Sequence, residues 1–388
     1  MLSFDNTEIA FESKSNAELK RAHFLFSVIG RRSVVAFGKS FTNLAFSIGL
    51  PIKGMIRATI FKQFVGGENI EDCEKTIEAL HKFNIGTILD YSVEGKESEE
   101  SFDAAEKEII RTVKKASNDK RISFCVFKVT GLGRHHILDK RSKGKKFTDD
   151  ELKEWQRIEQ RVLRICEACK ISGVPVFVDA EESWIQDAID ELALDMMRRF
   201  NKEKSIVYNT AQMYRHDRLE YIRSLYKISQ DEGFYLGLKL VRGAYMEKER
   251  RRAVEMGYQD PIQPDKASSD KDFDAALEFC VTRIDKIAIC LGTHNENSSL
   301  LLAKRLDELK IPHGNPHVYF AQLLGMSDHI SYNLSKQGYN VAKYVPYGPV
   351  KEVVPYLIRR AEENTSVKGQ TGRELSLIQK ELKRRKLK

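Results

Sequence analysis

Apolar residues recur along this chain with two periods that take turns. From about residue 85 onward, short β-branched runs of strand length alternate with stretches whose apolar positions return every three or four residues. The runs are GTILDYS (86–92), SFCVFKV (123–129), VPVFVDA (174–180), SIVYNTAQ (205–212), YLGLKLV (235–241), IAICLGTHN (287–295), PHVYFAQL (316–323) and NVAKYVPYG (340–348). Between them the helical period occupies 101–117, 150–171, 185–201, 214–231, 247–256 continued by 271–285, 296–309 and 326–337. Pro346 and Gly348 then break the chain, and Val350, Val353, Val354, Leu357 and Ile358 predict a closing helix over 350–364. Eight strands, each followed by a helix, predict an α/β fold of the TIM (β/α)8 barrel type. An open doubly wound sheet is the alternative.

Residues 1–80 do not share this alternation and read as a helical arm. Its apolar positions, from Phe24 and Phe26 through Ile29, Val34, Val35, Phe37, Phe41, Leu44, Ala45 and Ile48, are interleaved with Lys and Arg. The reading is an arm packed on the main domain, with an interfacial membrane helix as the alternative. The longest charge-free stretch near this end, Ser40 to Ile52, is too short to span a bilayer. The start MLSFDNTEIAFES lacks a basic region followed by an apolar one, so no cleaved leader is expected. Residues 365–388 form a basic C-terminal helix or tail ending in KELKRRKLK, expected to be a frayed, solvated terminus. The three expected parts are thus 1–80, 81–364 and 365–388.

Of the 388 residues, 41% are hydrophobic and 31% charged, which excludes a disordered chain. The formal net charge is +8, concentrated toward the two ends. Six cysteines in a chain this long make no disulfide framework. Cys166 and Cys169 form a CxxC inside a helical pattern with no second ligand pair, so buried thiols are expected and no metal site. Lys140 to Lys146 (KRSKGKK) reads as an exposed basic loop.

In a TIM barrel the chemistry gathers at the C-terminal ends of the strands. Here those ends carry Lys128, then Asp179 followed by Ala180, Glu181 and Glu182, then Gln212, then Lys239 running into Arg242-Gly243-Ala244, then Thr293-His294-Asn295, Gln322 and Tyr344. Each alone has a bland reading, such as an Asp that caps the next helix. Seven consecutive polar strand ends point to one lined mouth. On the closing helix Arg359 and Arg360 are adjacent, and Glu363 stands four residues after Arg359. Two adjacent guanidiniums form either a solvated patch or a clamp for a carboxylate or phosphate. No GxSxG, HExxH or strand-following GxGxxG occurs. A Schiff-base aldolase using Lys128 and a non-catalytic anion-binding barrel remain open at this point.

Seven separated motifs, in order, resemble the proline dehydrogenase family. They are FKVTGLGR (127–134), VFVDAEESW (176–184), YNTAQMY (208–214), KLVRGAYMEKER (239–250), THNENS (293–298), YFAQLLGM (319–326), and YVPYGP leading to YLIRRAEEN. The wording is most similar to the monofunctional, mitochondrial-type branch. The resemblance implies oxidation of L-proline to Δ1-pyrroline-5-carboxylate, FAD as cofactor, and a membrane quinone as electron acceptor. It implies that Lys128, Arg359 and Arg360 bind the substrate carboxylate, that Asp179 holds the pocket, and that Leu240, Tyr344 and Tyr356 wall the ring. It assigns Ala180, Gln212, Lys239, Val241, Arg242, Gly243, Ala244, Thr293, His294, Asn295, Gln322, Arg360 and Glu363 to the flavin. Lys239 stands where the bacterial branch usually has Arg, so the charge is kept and the planar fork lost. A bulky Tyr344 implies proline over hydroxyproline, with a hydroxyproline dehydrogenase as the alternative. No nucleic-acid partner is implied. The expected location is the bacterial cytoplasm with peripheral contact to the inner membrane through the N-terminal arm, or the matrix side in a eukaryote.

Overall fold

The strands form where β-branched and aromatic side chains cluster. The computed structural model describes residues 2–30, 38, 52–93, 97–366 and 370–387. Its strands are β1 (Ile85–Tyr91), β2 (Ile122–Phe127), β3 (Val176–Val178), β4 (Val207–Gln212), β5 (Leu236–Val241), β6 (Ile287–Gly292), β7 (Val318–Leu323) and β8 (Val341–Tyr347). They close into a barrel in chain order, so the expected TIM-barrel fold is the observed one. The chain divides into two compact units, Met1–Glu94 with Gln322–Lys388, and Gly95–Ala321.

The unit Gly95–Ala321 carries α6 (Glu99–Ser117), α7 (His135–Ser142), α8 (Asp149–Ser172), α9 (Ser183–Phe200), α10 (Arg218–Glu232), α11 (Met246–Met256), α12 (Lys266–Val281) and α13 (Glu296–Glu308). Its strands pair in parallel, with Val178 beside Asn209 and Thr210 beside Lys239. Inward positions alternate along each strand. At one level they supply an aromatic floor. Phe124 stacks on Phe177 with ring centroids 4.4 Å apart, and Tyr208 and Tyr319 meet Phe124 edge-on at 5.5 and 4.8 Å. β5 offers only Gly237 here, because a Cβ would lie 2.7 Å from the Tyr208 ring and 2.5 Å from the Val207 carbonyl oxygen. Further along, the same inward faces present Asp179, Thr210 and Lys239, each two residues past Phe177, Tyr208 and Gly237, and Lys128, four residues past Phe124. Cys166 and Cys169 are fully buried thiols on α8, as expected. The KRSKGKK segment is not all loop: its first three residues complete α7, where Ile137 and Leu138 are buried.

The other unit carries α1 (Thr7–Ala10), α2 (Asn16–Ile29), α3 (Lys53–Ile56), α4 (Lys62–Phe64), α5 (Glu74–His81), α14 (Asp328–Lys336), α15 (Val350–Ser366) and α16 (Gln370–Arg384). β1 and β8 run in register from Ile85 beside Val341 to Tyr91 beside Tyr347. Phe11, Leu19, Phe26, Phe64, Val350, Val353, Leu377 and Ile378 share one apolar cluster. The N-terminal helices therefore pack, while Phe24 on α2 is exposed. The apolar stretch from Val34 to Ile48 lies outside the described residues, apart from Gly38.

The expectation of a solvated C-terminal tail is overturned. α16 runs to Arg384, and its Leu377 and Ile378 are buried. Arg385 donates to the carbonyl oxygens of Lys14 and Phe11 at 2.7 Å each, and to the Glu381 carboxylate at 2.7 Å. The basic residues are there to satisfy carbonyls and a buried carboxylate, which composition cannot reveal.

Candidate active site

The register of β2 to β5 builds the centre of the site. Asp179 follows β3 and its amide donates to the Phe127 carbonyl at 3.0 Å, which sets it beside Lys128 at the end of β2. β4 sets Thr210 at the same level, and β5 sets Lys239 beside Thr210. Asp179 accepts from Lys128 Nζ at 3.1 Å through one oxygen and from Lys239 Nζ through the other. Burial alone would push the Asp179 carboxyl up, but Lys239 and Lys128 outweigh it and hold it below its ordinary range. Lys239 also stands 5.0 Å from the centre of the Phe177 ring, over the aromatic floor. Two cations thus share one carboxylate, and Glu181 adds a second carboxyl within electrostatic reach of Lys128. An amine that gives its protons to a carboxylate lacks the free lone pair of a Schiff-base lysine, which disfavours the aldolase reading of Lys128.

Gln212 ends β4 on the same inward face as Thr210 and is buried. Its Oε1 has no hydrogen-bond partner within the described structure. A buried carbonyl oxygen without a donor is costly, so it signals a bound group that supplies one. Leu240 is fully buried, and alternation sets it on the face of β5 opposite Lys239 and Val241.

Beyond β5 the chain enters Arg242, Gly243 and Ala244. The Arg242 guanidinium donates to Asp270 Oδ1 at 2.7 Å, Thr293 Oγ1 at 2.9 Å and Ser298 Oγ at 3.0 Å, over the Phe273 ring at 4.3 Å. All three of its nitrogens have partners, so the group is fixed in place. Gly243 and Ala244 are exposed, and Gly243 has φ +140°. Thr293 also accepts from the Asn295 amide at 3.1 Å, and Asn295 caps α13 by accepting from Ser298 at 3.1 Å. Asn295 thus has a local structural task beside any role toward a cofactor. His294 and Ala180 are half-buried.

In the unit that holds β8 and α15, Tyr344 is buried on β8, and its carbonyl accepts from Leu324 at 2.9 Å. The neighbouring Lys343 faces the other way, donating to Met326 O at 2.5 Å and Asp328 Oδ1 at 2.9 Å. On α15 Tyr356 and Arg360 are buried, one helical turn apart, with the Arg360 guanidinium 5.1 Å from the Tyr356 ring centre. Arg359 is half-buried. Gln322 is buried against α14, where Ser331 Oγ donates to its Oε1 at 2.8 Å. Glu363 lies within α15, and its side chain falls outside the described residues.

Strand-end reasoning names Glu181 without giving it a task, and it does not reach Glu249. Glu181 accepts from the Thr130 amide at 3.0 Å and from the Thr130 hydroxyl. Glu249 on α11 accepts from Ser183 N at 2.6 Å and Ser183 Oγ at 2.5 Å, filling the N-terminus of α9. The adjacent carboxylates of DAEE were the available signal for the first; the second has none in sequence, since its partner is 66 positions away.

A family profile described as "Proline dehydrogenase" matches residues 73–373. The chain is 34% identical to "Proline dehydrogenase 1, mitochondrial" of Dictyostelium discoideum, covering 99% of this chain and 75% of that protein. It is 35% identical to "Carbapenem antibiotics biosynthesis protein CarD" of Pectobacterium carotovorum subsp. carotovorum, over 86% of each. Against the human "Proline dehydrogenase 1, mitochondrial" the identity is 39%, over 66% of this chain and 44% of the human one. Among solved structures, proline utilization A from Bdellovibrio bacteriovorus, inactivated by N-propargylglycine, aligns with a TM-score of 0.73 at 21% identity. That alignment covers 94% of this chain and 37% of the other, and it shows the shared fold.

Proposed function

Because the chain belongs to the proline dehydrogenase family, we propose that it oxidises L-proline to Δ1-pyrroline-5-carboxylate with FAD as cofactor and a membrane quinone as final acceptor. The observation that carries the reading is the Lys128–Asp179–Lys239 group built by strand register over an aromatic floor. FAD fits the residues present: Gln212 Oε1 needs a donor, and Gly243 leaves backbone open beside the fixed Arg242. We assign Gln212 and Lys239 to the flavin ring, and Arg242, Gly243, Ala244, Thr293 and His294 to the phosphate and ribose end. Ala180, Val241, Asn295, Gln322, Arg360 and Glu363 complete the assigned set. When bound, FAD supplies the two-electron sink for the ring C–H of proline.

The chain's own contribution is position and field. Lys128, Arg359 and Arg360 hold the substrate carboxylate, which fixes the ring and lowers the entropic part of the barrier. Asp179 keeps Lys128 and Lys239 in place. Tyr344 and Tyr356 exclude water from the ring; Leu240, expected to join them, faces away from Lys239 on β5 and is not assigned to it. The segments 1–80 and 365–388 flank the catalytic part, 81–364. Among the described residues no helix is long and apolar enough to cross a membrane. We assign the protein a peripheral position, on the inner membrane of a bacterium or the matrix side in a eukaryote; the mitochondrial names of the Dictyostelium and human relatives support the latter.

The deciding experiment is an absorbance spectrum of the purified protein before and after anaerobic L-proline. Flavin bands that bleach are expected. Bands that persist, or no flavin after reconstitution with FAD, would refute the reading. Specificity gives a further expectation. Tyr344 should favour L-proline over 4-hydroxyproline in kcat/KM, and Tyr344→Ser should narrow that preference by about tenfold. Equal kcat/KM for the two substrates in the wild type would remove Tyr344 from the specificity argument.

A further inference from the structure

The turn after β2 has a second tie to the segment after β3, and the assigned roles leave it unused. Lys128 is extended, with φ −104° and ψ 136°, and Val129–Gly131 then forms a single 3-10 turn. Within that turn the Gly131 and Leu132 amides find backbone carbonyls, on Lys128 at 3.1 Å and Val129 at 2.9 Å. The Thr130 amide instead donates to Glu181 Oε1 at 3.0 Å, and the Thr130 hydroxyl to Glu181 Oε2. The ties are spaced two residues apart on both sides: Lys128 to Asp179, and Thr130 to Glu181.

Glu181 is itself held from behind. Its amide donates to Gln186 Oε1 at 2.9 Å, and Gln186 Nε2 donates to Asp190 Oδ1 at 2.8 Å. Asp190 accepts from Arg218 Nη1 at 2.6 Å and from Asn209 Nδ2 at 2.8 Å. The carboxyl is 4% exposed, and a burial of that depth is costly for a carboxylate unless it has a task or a partner. Both its oxygens go to one residue, Thr130, which neighbours Lys128 only through Val129. Val129 is fully buried and cannot take up slack.

We propose that Glu181 is a positioning residue for substrate binding: by clamping Thr130 it fixes the backbone that aims Lys128 at the substrate carboxylate. The proposal rests on the reading of Lys128 as a carboxylate ligand. Glu181 acts through Thr130 and does not touch substrate. Its removal therefore loosens binding of the carboxylate more than it slows the chemical step.

The test uses the flavin-loaded enzyme and five forms: wild type, Glu181→Ala, Glu181→Gln, Thr130→Ala and the Glu181→Ala/Thr130→Ala double variant. Two quantities are read: KM and kcat for L-proline, and calorimetric Kd for tetrahydrofuran-2-carboxylate, which keeps ring and carboxylate and lacks the amine. Glu181→Ala is expected to raise KM and Kd about tenfold while kcat falls less than threefold. Glu181→Gln can still accept from the Thr130 amide and donate to its hydroxyl, so both constants should stay within about twofold of wild type. Thr130→Ala should move both in the same direction, and the double variant should be no worse than Glu181→Ala alone. If Glu181→Ala fails to fold, Thr130→Ala carries the same comparison. Unchanged KM and Kd in a folded Glu181→Ala, or additive effects in the double variant, would overturn the proposal. A wild type that binds the analogue but does not oxidise proline would refute the proposed reaction, while the same shifts in Kd would uphold the clamp. A wild type that binds no ring carboxylate would overturn both.

Discussion

Asp179→Ala should lower kcat/KM for L-proline between a hundredfold and several thousandfold. The carboxylate is the shared partner of Lys128 and Lys239, and its side chain is only 13% exposed. Breaking a buried ion pair by removing one partner costs about 3–5 kcal/mol. A tenfold rate effect corresponds to about 1.4 kcal/mol. Two like charges left over the Phe177 ring would also drift apart, and both are assigned to the reacting groups. Asp179→Asn keeps the shape and one acceptor but loses the charge, so it should fall between. The measurement is steady-state turnover with a dye acceptor at matched flavin content. An alanine variant within fivefold of wild type would show that the lysines do not depend on Asp179. Stability should follow pH with a definite sign. The Asp179 carboxyl is held below its ordinary value of 3.8 in the folded protein. The stability it contributes is therefore complete above pH 3.8 and is lost as the pH falls through the lower folded value.

Gly243→Ala should empty the flavin site. At φ +140° an L side chain is strained, and backbone strain of this kind costs on the order of 1–3 kcal/mol. The added Cβ would also lie 2.4 Å from Tyr214 Cζ. That ring cannot easily retreat. Tyr214 is buried, its amide donates to Arg242 O at 2.9 Å, and its carbonyl accepts from Gln263 at 2.7 Å. Relief must come from the backbone between Arg242 and Ala244, the segment assigned to the phosphates. Flavin per protein, read from the visible absorbance against the protein band, is expected to fall below about a tenth of wild type, in a protein that remains folded because Gly243 itself is exposed. Full flavin content in this variant would move the phosphate site elsewhere.

Much of this architecture was legible before any coordinates. β1, β2, β4, β5, β7 and β8 each begin and end within about two residues of their β-branched runs, and β6 ends three residues early, because strands buried on both faces read as continuous apolar stretches. β3 is shorter than its run, three residues instead of seven, although the Asp179 amide still donates to the Phe127 carbonyl of β2. α7 escaped notice since its sequence, HHILDKRS, buries only Ile137 and Leu138 and so has hardly any period to detect. Within the site, residue type and strand-end position point to Lys128, Asp179 and Lys239. That Lys239 and Lys128 share the two oxygens of Asp179 depends on register, which pattern alone does not supply. The Thr130–Glu181 tie and the Arg385 contacts stay hidden for the same reason. A polar residue advertises that it needs a partner, not which partner it has.

The joining of β1 to β8 bears on how this chain meets the ribosome. The unit Met1–Glu94 with Gln322–Lys388 draws its core from two segments separated by 227 residues of the other unit. Synthesis delivers Phe11, Leu19, Phe26 and β1 first, and their partners on α15 and α16 only after everything between has emerged. For that interval the apolar face of α2 and the outer edge of β1 have no native cover, and at about 5–20 residues per second the wait is tens of seconds at the slow end. An unpaired strand edge held open for that long is a pairing site for other chains. The cost of a fold that ties its beginning to its end thus falls on the nascent chain, which should depend on holdase chaperones far more than the finished protein does.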